Sequence, residues 1–374
     1  MNQCALCAKL LTPETDSREH LIPNAVGGRR KVAGFICEAC NSETGKTWDK
    51  ELAVQLNPIS LLLGISRERG HPPAQEFEII GGGSIVHESD GSLSLPKPIF
   101  EKTQDKDGAI RISITGRDLA ETKRMLEGVK GKHPQVDVDA TMKGATQQSE
   151  YLKGLVKISL MFGGGIAGRS IVKTALALAV SAGIPADACT TAIEYLRNHA
   201  TPSIWEFYYA GDLITNRPAG VALHCVAIHA SGGRLVGYVE YFGFRRMWVL
   251  LSDHYSAPDI QVSYAIDPVL GIELNLEFAP IPLAWHHSSF EEISGPTTTA
   301  LTAILAPAVQ AAKDRELNRV LRQAWDRACE QTHLPPGASC TPQQQWKFAE
   351  VLAKETLPFL EHQLHDPFKD FKPS

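Results

Sequence analysis

The residues able to do chemistry crowd into the start of this 374-residue chain. Two Cys-x-x-Cys pairs, Cys4/Cys7 and Cys37/Cys40, bracket Glu19 and His20, and Asn41 directly follows the last cysteine. Each pair makes a short knuckle that presents two sulfurs in one direction. Two knuckles complete a tetrahedral thiolate site for one zinc ion with no open position, so the site is structural. Losing the ion is expected to unfold the segment, because so short a stretch has little core of its own. The reactive work then falls to Glu19, His20 and Asn41. An imidazole titrating near neutrality can take a proton from water. A carboxylate and an amide carbonyl offer the oxygen donors that a hard divalent ion such as Mg2+ prefers. Such an ion stabilises the transition state and leaving oxygen of phosphodiester hydrolysis.

The pattern C-x2-C, EHLIP, GG, C-x2-CN, G resembles the HNH endonucleases, in the subgroup whose ββα-metal motif is held by a four-cysteine zinc. Cys4, Cys7, Glu19, His20, Pro23, Gly27, Gly28, Cys37, Cys40, Asn41 and Gly45 carry the resemblance, within residues 1–55. It implies that His20 is the general base and that Glu19 and Asn41 hold the catalytic cation, Mg2+ or Mn2+, with Ni2+ as a further fit. It also implies that Cys4, Cys7, Cys37 and Cys40 bind a structural Zn2+, and that the substrate is DNA. The chain departs from the family at one point. The asparagine usual before the second cysteine pair is missing from residues 31–36 (KVAGFI). That residue braces the histidine's loop, so Asn24 or a backbone group is the expected substitute. Arg29, Arg30 and Lys31 follow the glycine pair, and the resemblance makes them the phosphate contacts, a sequence-independent and salt-sensitive term. An ordinary solvated charge run is the alternative. Lys46, Lys50, Arg67 and Arg69 are weaker candidates of the same kind. Asp49 reads as a solvated helix position, with an acid backing the site as the alternative.

Composition bounds the rest. The net charge of −5 and pI near 6.2 exclude nucleic-acid binding over the whole surface, so any such contact is a local patch. Residues 1–75 are more balanced, with nine Lys/Arg against eight Asp/Glu. No run reaches the roughly 18–20 apolar residues of a membrane span. The start of the chain does not read as a signal peptide. Cys189, Cys225, Cys329 and Cys340 are scattered without pattern, and a reducing, cytoplasmic setting is expected.

The expected architecture is α+β: a small zinc-stabilised ββα-metal domain over residues 1–75, a β-rich extension and linker over 76–150, and a larger mixed α+β domain over 151–374. In the first unit a helix is predicted over 41–56 from Trp48, Leu52 and Leu56 at helical spacing. Strands follow at 77–80, 84–88, 92–95 and 109–115, separated by glycine turns, then a helix at 118–129 and a polar linker at 134–150. Helices are expected near 151–161, 168–182 and 186–198, and a β block from 204 to 278 with its strongest strands at 221–229, 235–242 and 248–251. Two helices close the chain, 299–331 with a break or kink at Pro307, and 343–362. Residues 163–170 (GGGIAGRS) nearly match a phosphate loop. However, Arg169 stands where lysine is required, and a glycine turn starting a helix is the better account. His286-His287 and His254 show no further metal ligand and read as structural or exposed. Three roles fit the residues beyond the zinc segment. They could sense a small signal such as a cyclic oligonucleotide, as in anti-phage effectors, set DNA specificity, or mediate homo-oligomerisation. The rival to a nuclease is a non-catalytic zinc module that binds nucleic acid or a protein partner.

Overall fold

A two-residue strand, β1 (Glu19–His20), pairs antiparallel with β2 (Lys31–Val32), so that Glu19 faces Val32 and His20 faces Lys31 across the ladder. The chain then enters α1 (Glu38–Lys46), completing a ββα unit. These come from a computed structural model, which describes residues 3–104, 106, 108–146, 151–152, 154–284, 290–335 and 339–364. The helix expected over 41–56 is two helices, α1 and α2 (Trp48–Leu63). They part at Thr47, whose hydroxyl donates to the Glu43 carbonyl at 2.8 Å and draws the backbone off the helical path. Strand β2 ends at Val32, and Cys37 is already the cap of α1.

Two compact units are formed. One comprises the chain as far as Pro73 together with Ser159–Ala311, and the other comprises Ala74–Ile158 and the chain from Ala312 onward. In the second unit, β3 (Gln75–Ile79), β4 (Ser84–His87) and β5 (Leu93–Ser94) form a meander, and β6 (Ile99–Gln104) pairs with β7 (Ile110–Thr115) as a separate hairpin. Then come α3 (Leu119–Lys132), capped by the Asp118 carboxylate, and α4 (Val138–Lys143), capped by Asp137. The second cap turns part of the expected linker into helix. The helix expected over 151–161 is absent from its described residues. β8 (Val156–Lys157) instead adds to β3, giving the order β5-β4-β3-β8.

In the first unit, α5 (Gly164–Ser181) and α6 (Thr190–Arg197) precede a six-stranded antiparallel sheet. Its strands are β9 (Trp205–Phe207), β10 (His224–Ser231), β11 (Arg234–Tyr241), β12 (Arg245–Ser252), β13 (Ile260–Asp267) and β14 (Ile272–Glu273), in the order β14-β13-β10-β11-β12-β9. Both faces are buried, which is why the central strands read as nearly continuous apolar runs. Val226, Ile228, Val239 and Val249 join the core under α5, while Cys225, Ala227, Tyr238 and Trp248 face a second core. A tight hairpin turn joins β10 to β11, with Gly232 and Gly233 both at positive φ between Ser231 and Arg234. The closing helices are α7 (Phe290–Thr332) and α8 (Pro342–Leu364). Helix α7 continues through Pro296 and Pro307, so the break expected at Pro307 does not interrupt it. No helix among the described residues is long and apolar enough to cross a membrane.

The ββα unit has no core of its own. Leu21, Ile22, Val26, Phe35, Ile36, Leu52 and Leu56 belong to one buried cluster with Ile171, Val172 and Ala175 of α5 and the near face of the sheet. Two features fix the seam. The glycine pair permits close approach: a Cβ on Gly27, held at φ 99°, would lie 2.9 Å from Pro268 Cβ, and one on Gly28 would lie 1.7 Å from the Ile22 carbonyl oxygen. Then His224, fully buried on β10, donates from Nε2 to the Val26 carbonyl at 2.8 Å and accepts at Nδ1 from the Phe242 N–H at 3.0 Å. This neutral tautomer is enforced by burial, which pushes the imidazole down to about 4.

Gly28→Ala is therefore expected to destabilise the first unit by roughly 3 kcal/mol or more, as overpacking against backbone does. Gly45→Ala, on α1 with open space around it, should instead stabilise by about 0.5–1 kcal/mol. Urea unfolding of both variants measures the contrast. His224 sets a pH dependence of definite sign. Its folded pKa lies below the ordinary 6.5, so between those values the unfolded chain binds a proton that the folded chain refuses. Its contribution is complete above pH 6.5 and falls by about 3 kcal/mol as pH drops toward 4. Urea unfolding at pH 7 and pH 4.5 should show the wild type losing more stability than His224→Gln.

Candidate active site

The four paired cysteines converge. The Sγ atoms of Cys4, Cys7, Cys37 and Cys40 all lie within 4.8 Å of one another, and Cys7 and Cys37 are 3.7 Å apart. Zinc bonds of about 2.3 Å in a tetrahedron place sulfurs about 3.8 Å apart, so the donor set fits this ion in type and spacing. The two knuckles are tied by the Ala5 N–H to the Phe35 carbonyl at 2.7 Å, and by the Cys37 N–H to Cys4 Sγ at 3.4 Å. Burial alone would raise Cys4, but the backbone N–H groups of Cys7, Cys37 and Leu6 outweigh it and bring the thiol down to about 7, toward the thiolate that zinc requires. Arg197 of α6 holds the outer knuckle, donating from Nε to the Ala5 carbonyl at 2.8 Å.

Glu19 and His20 are consecutive on a strand, so their side chains leave on opposite faces. Glu19 turns inward and is buried. There it meets Lys173 from α5, which donates from Nζ to Glu19 Oε1 at 2.9 Å, Asp49 Oδ2 at 2.5 Å and Thr44 Oγ1 at 3.2 Å. Asp49 also accepts from Ser170 Oγ at 2.6 Å. Asp49 is thus buried rather than solvated. Burial pushes the Glu19 carboxyl up, opposed first by Lys173 and more weakly by the nearby side chain of Asn41. For Lys173, burial is outweighed by Asp49 and Glu19, which raise it and keep the ammonium charged. The structure thus brings Asn41 near Glu19 and backs Glu19 with an ion cluster in which two carboxylates share one ammonium.

His20 turns the other way and is half-buried. Its Nε2 lies 3.2 Å from Glu68 Oε2, and the same oxygen accepts from Lys31 Nζ at 2.8 Å. Because a carboxylate only accepts, Nε2 carries the proton and Nδ1 is the basic nitrogen. Burial holds the imidazole below its ordinary range, with Glu68 opposing. Asn24 donates to the Gly28 carbonyl at 3.1 Å and braces the glycine loop, while the side chain on His20 is that of Glu68.

The three cations after the glycine pair all have partners within the chain. Arg29 donates to the Ser66 carbonyl at 3.0 Å. Arg30 grips Glu273 with both Nε and Nη2, at 3.2 and 2.6 Å, and stacks on Tyr264. Lys31 is held by Glu68. Lys46, Lys50 and Arg69 are exposed, and Arg67 is half-buried. The first turn of α5, Gly164 to Ile166, is exposed, and the residues after it are taken up within the chain: Gly168 abuts Trp205, Arg169 donates to the Gly165 carbonyl and lies over Tyr195, and Ser170 is taken by Asp49. His254 is exposed beside Asp253, and His286 and His287 lie outside the described residues.

Two residues of the site went unread in the sequence. Lys173 had a signal, a lone charge inside the apolar run of α5, which demands an acid partner. Glu68 had none.

Residues 4–57 match the family model described as HNH endonuclease. With the ββα order and the clustered cysteines, this stretch is an HNH domain of the four-cysteine type, a class of nucleases, followed by a larger mixed α+β region. No curated protein and no solved structure matches the chain.

Metal analysis should find one zinc per chain. Because the ββα unit shares its core with α5 and the sheet, stripping the zinc with a chelator should cost the whole first unit roughly 4 kcal/mol or more, not only its loop. Hydrogen exchange read on α5 checks this. Unchanged protection there would show that the zinc segment melts alone.

Proposed function

We propose that the chain is an endonuclease that hydrolyses phosphodiester bonds of DNA, with His20 as general base. The observation that carries this reading is the consecutive pair Glu19-His20, with the Asn41 side chain close enough to act on the Glu19 carboxyl, in the segment that matches the HNH endonucleases. Glu68 fixes the Nε2–H tautomer of His20, which leaves Nδ1 to take the proton from an attacking water. The depressed imidazole is unprotonated, and so ready to act, at neutral pH. Glu19 and Asn41, whose side chain lies close enough to lower the Glu19 carboxyl, would supply the oxygen donors that Mg2+ or Mn2+ favours, and Ni2+ is a further fit. When bound, that ion supplies charge stabilisation for the departing 3′ oxygen. Lys31, across the ladder from His20 and paired with Glu68, and Arg29, whose charge also reaches His20, are with Arg30 the proposed phosphate contacts.

A second reading, a zinc module that binds nucleic acid without cutting, is favoured by one observation: Glu19 already has a cation in Lys173. Nicking of supercoiled plasmid separates the two. Wild type should cut with Mg2+ or Mn2+. His20→Ala should lose roughly 10²–10⁴-fold in rate with zinc content and melting temperature unchanged. Glu68→Ala should lose less, and in kcat. The assay is run with and without cyclic oligonucleotides, because a ligand-gated anti-phage effector cuts only with its ligand. Plasmid left intact by the wild type under all these conditions would remove the nuclease reading.

A further inference from the structure

Lys173 is 2% exposed and sits in a helix whose residues from Ala167 to Ala179 are all buried. An ammonium has three protons, and Glu19, Asp49 and Thr44 accept one each. The three acceptors are not equivalent. Asp49 makes the shortest bond, and its other oxygen is taken by Ser170 one helical turn before Lys173, so it is fixed to α5 from both sides. Glu19 stands on β1 next to His20, with the Asn41 side chain close by, so of the two carboxylates it is the one beside the proposed reacting groups.

We infer that Lys173 and the divalent cation compete for the Glu19 carboxylate, so that an ammonium fixed in the core sets how tightly the site holds its metal. The inference rests on the reading of Glu19 as a cation ligand. The competition needs no displacement of α5. If Glu19 turns its charge to a metal, Lys173 keeps Asp49 and Thr44, and the Lys173–Asp49 pair remains neutral. A positive charge 2.9 Å from a ligand oxygen nevertheless opposes any second cation on that oxygen. Thr44, at hydrogen-bond distance from Lys173, lies in α1 three residues after Asn41, so the ammonium reaches both sequence elements that carry the proposed ligands.

The test is direct Mn2+ binding followed by electron paramagnetic resonance on the zinc-loaded full chain without DNA. Lys173→Met should bind Mn2+ at least about tenfold more tightly than wild type, and the gain should vanish in Lys173→Met/Glu19→Gln. Equal affinity in wild type and Lys173→Met overturns the inference, as does a gain that survives Glu19→Gln. Should Lys173→Met fail to fold, Lys173→Met/Asp49→Asn removes one charge of each sign and leaves Glu19 alone. The same gain is expected there, and its absence overturns the proposal. The plasmid assay with His20→Ala reports separately. A chain that nicks DNA without the Mn2+ gain loses this inference and keeps the nuclease reading. A chain with the gain that never nicks DNA loses the nuclease reading.

Discussion

The buried ammonium of Lys173 is the constraint on which the zinc-bearing segment and its partner helix both depend. Burying one charge costs several kcal/mol, and burying three is tolerable only where each hydrogen-bonding position is filled. Here the ammonium is satisfied by Glu19, Asp49 and Thr44, and Asp49 by Lys173 and Ser170. The cluster links β1, α1, α2 and α5, four elements drawn from both ends of the first unit. Removing one member would leave an uncompensated charge in the core, so the register of α5 against the ββα unit is fixed by charge as well as by shape. Trp205 against Gly168 and Ala175 against Gly237 fix the same helix sterically on its other sides.

That arrangement explains why the HNH segment does not stand as a free module here. Its apolar residues are spent on α5 and the sheet, and its glycine loop is docked by His224. In a small zinc domain the metal ordinarily substitutes for a missing core. Here a shared core is present as well, which would leave a zinc on the four cysteines a narrower role. It would hold the start of α1, and hence Asn41 and Thr44, against the strand that carries Glu19.

What was legible in the sequence follows from range. The cysteine knuckles, the glycine pair and the Glu19-His20 pair announce themselves through spacings of a few residues, and the apolar runs of β10 to β12 announce a sheet buried on both faces. The partners that complete the site lie far off in sequence: Lys173 is 154 residues from Glu19, and Glu68 is 48 from His20. Nothing local selects them. The misread elements have local causes that propensity alone does not weigh. Thr47 bonds back to Glu43 and splits a helix, and the ladder to β3 claims Val156 and Lys157 for a strand. Asp49 looked solvated because a charged residue on a helix usually is; its burial follows from Lys173, which cannot be inferred from α2 alone.

Strand alternation then decides how the site is divided. Because β1 is only two residues long, Glu19 and His20 cannot share a face, and one must turn to the core. The carboxylate goes inward, where an ammonium can neutralise it, and the imidazole goes to the side where Glu68 and Lys31 lie. The reverse assignment would bury an imidazole against a lysine and leave Lys173 with Asp49 as its single carboxylate. An acid toward the core and an imidazole toward Glu68 is therefore the arrangement of this dipeptide that Lys173 favours. The proposed chemistry inherits its geometry from that constraint: a base free to meet water, and a ligand whose charge is already contested from behind.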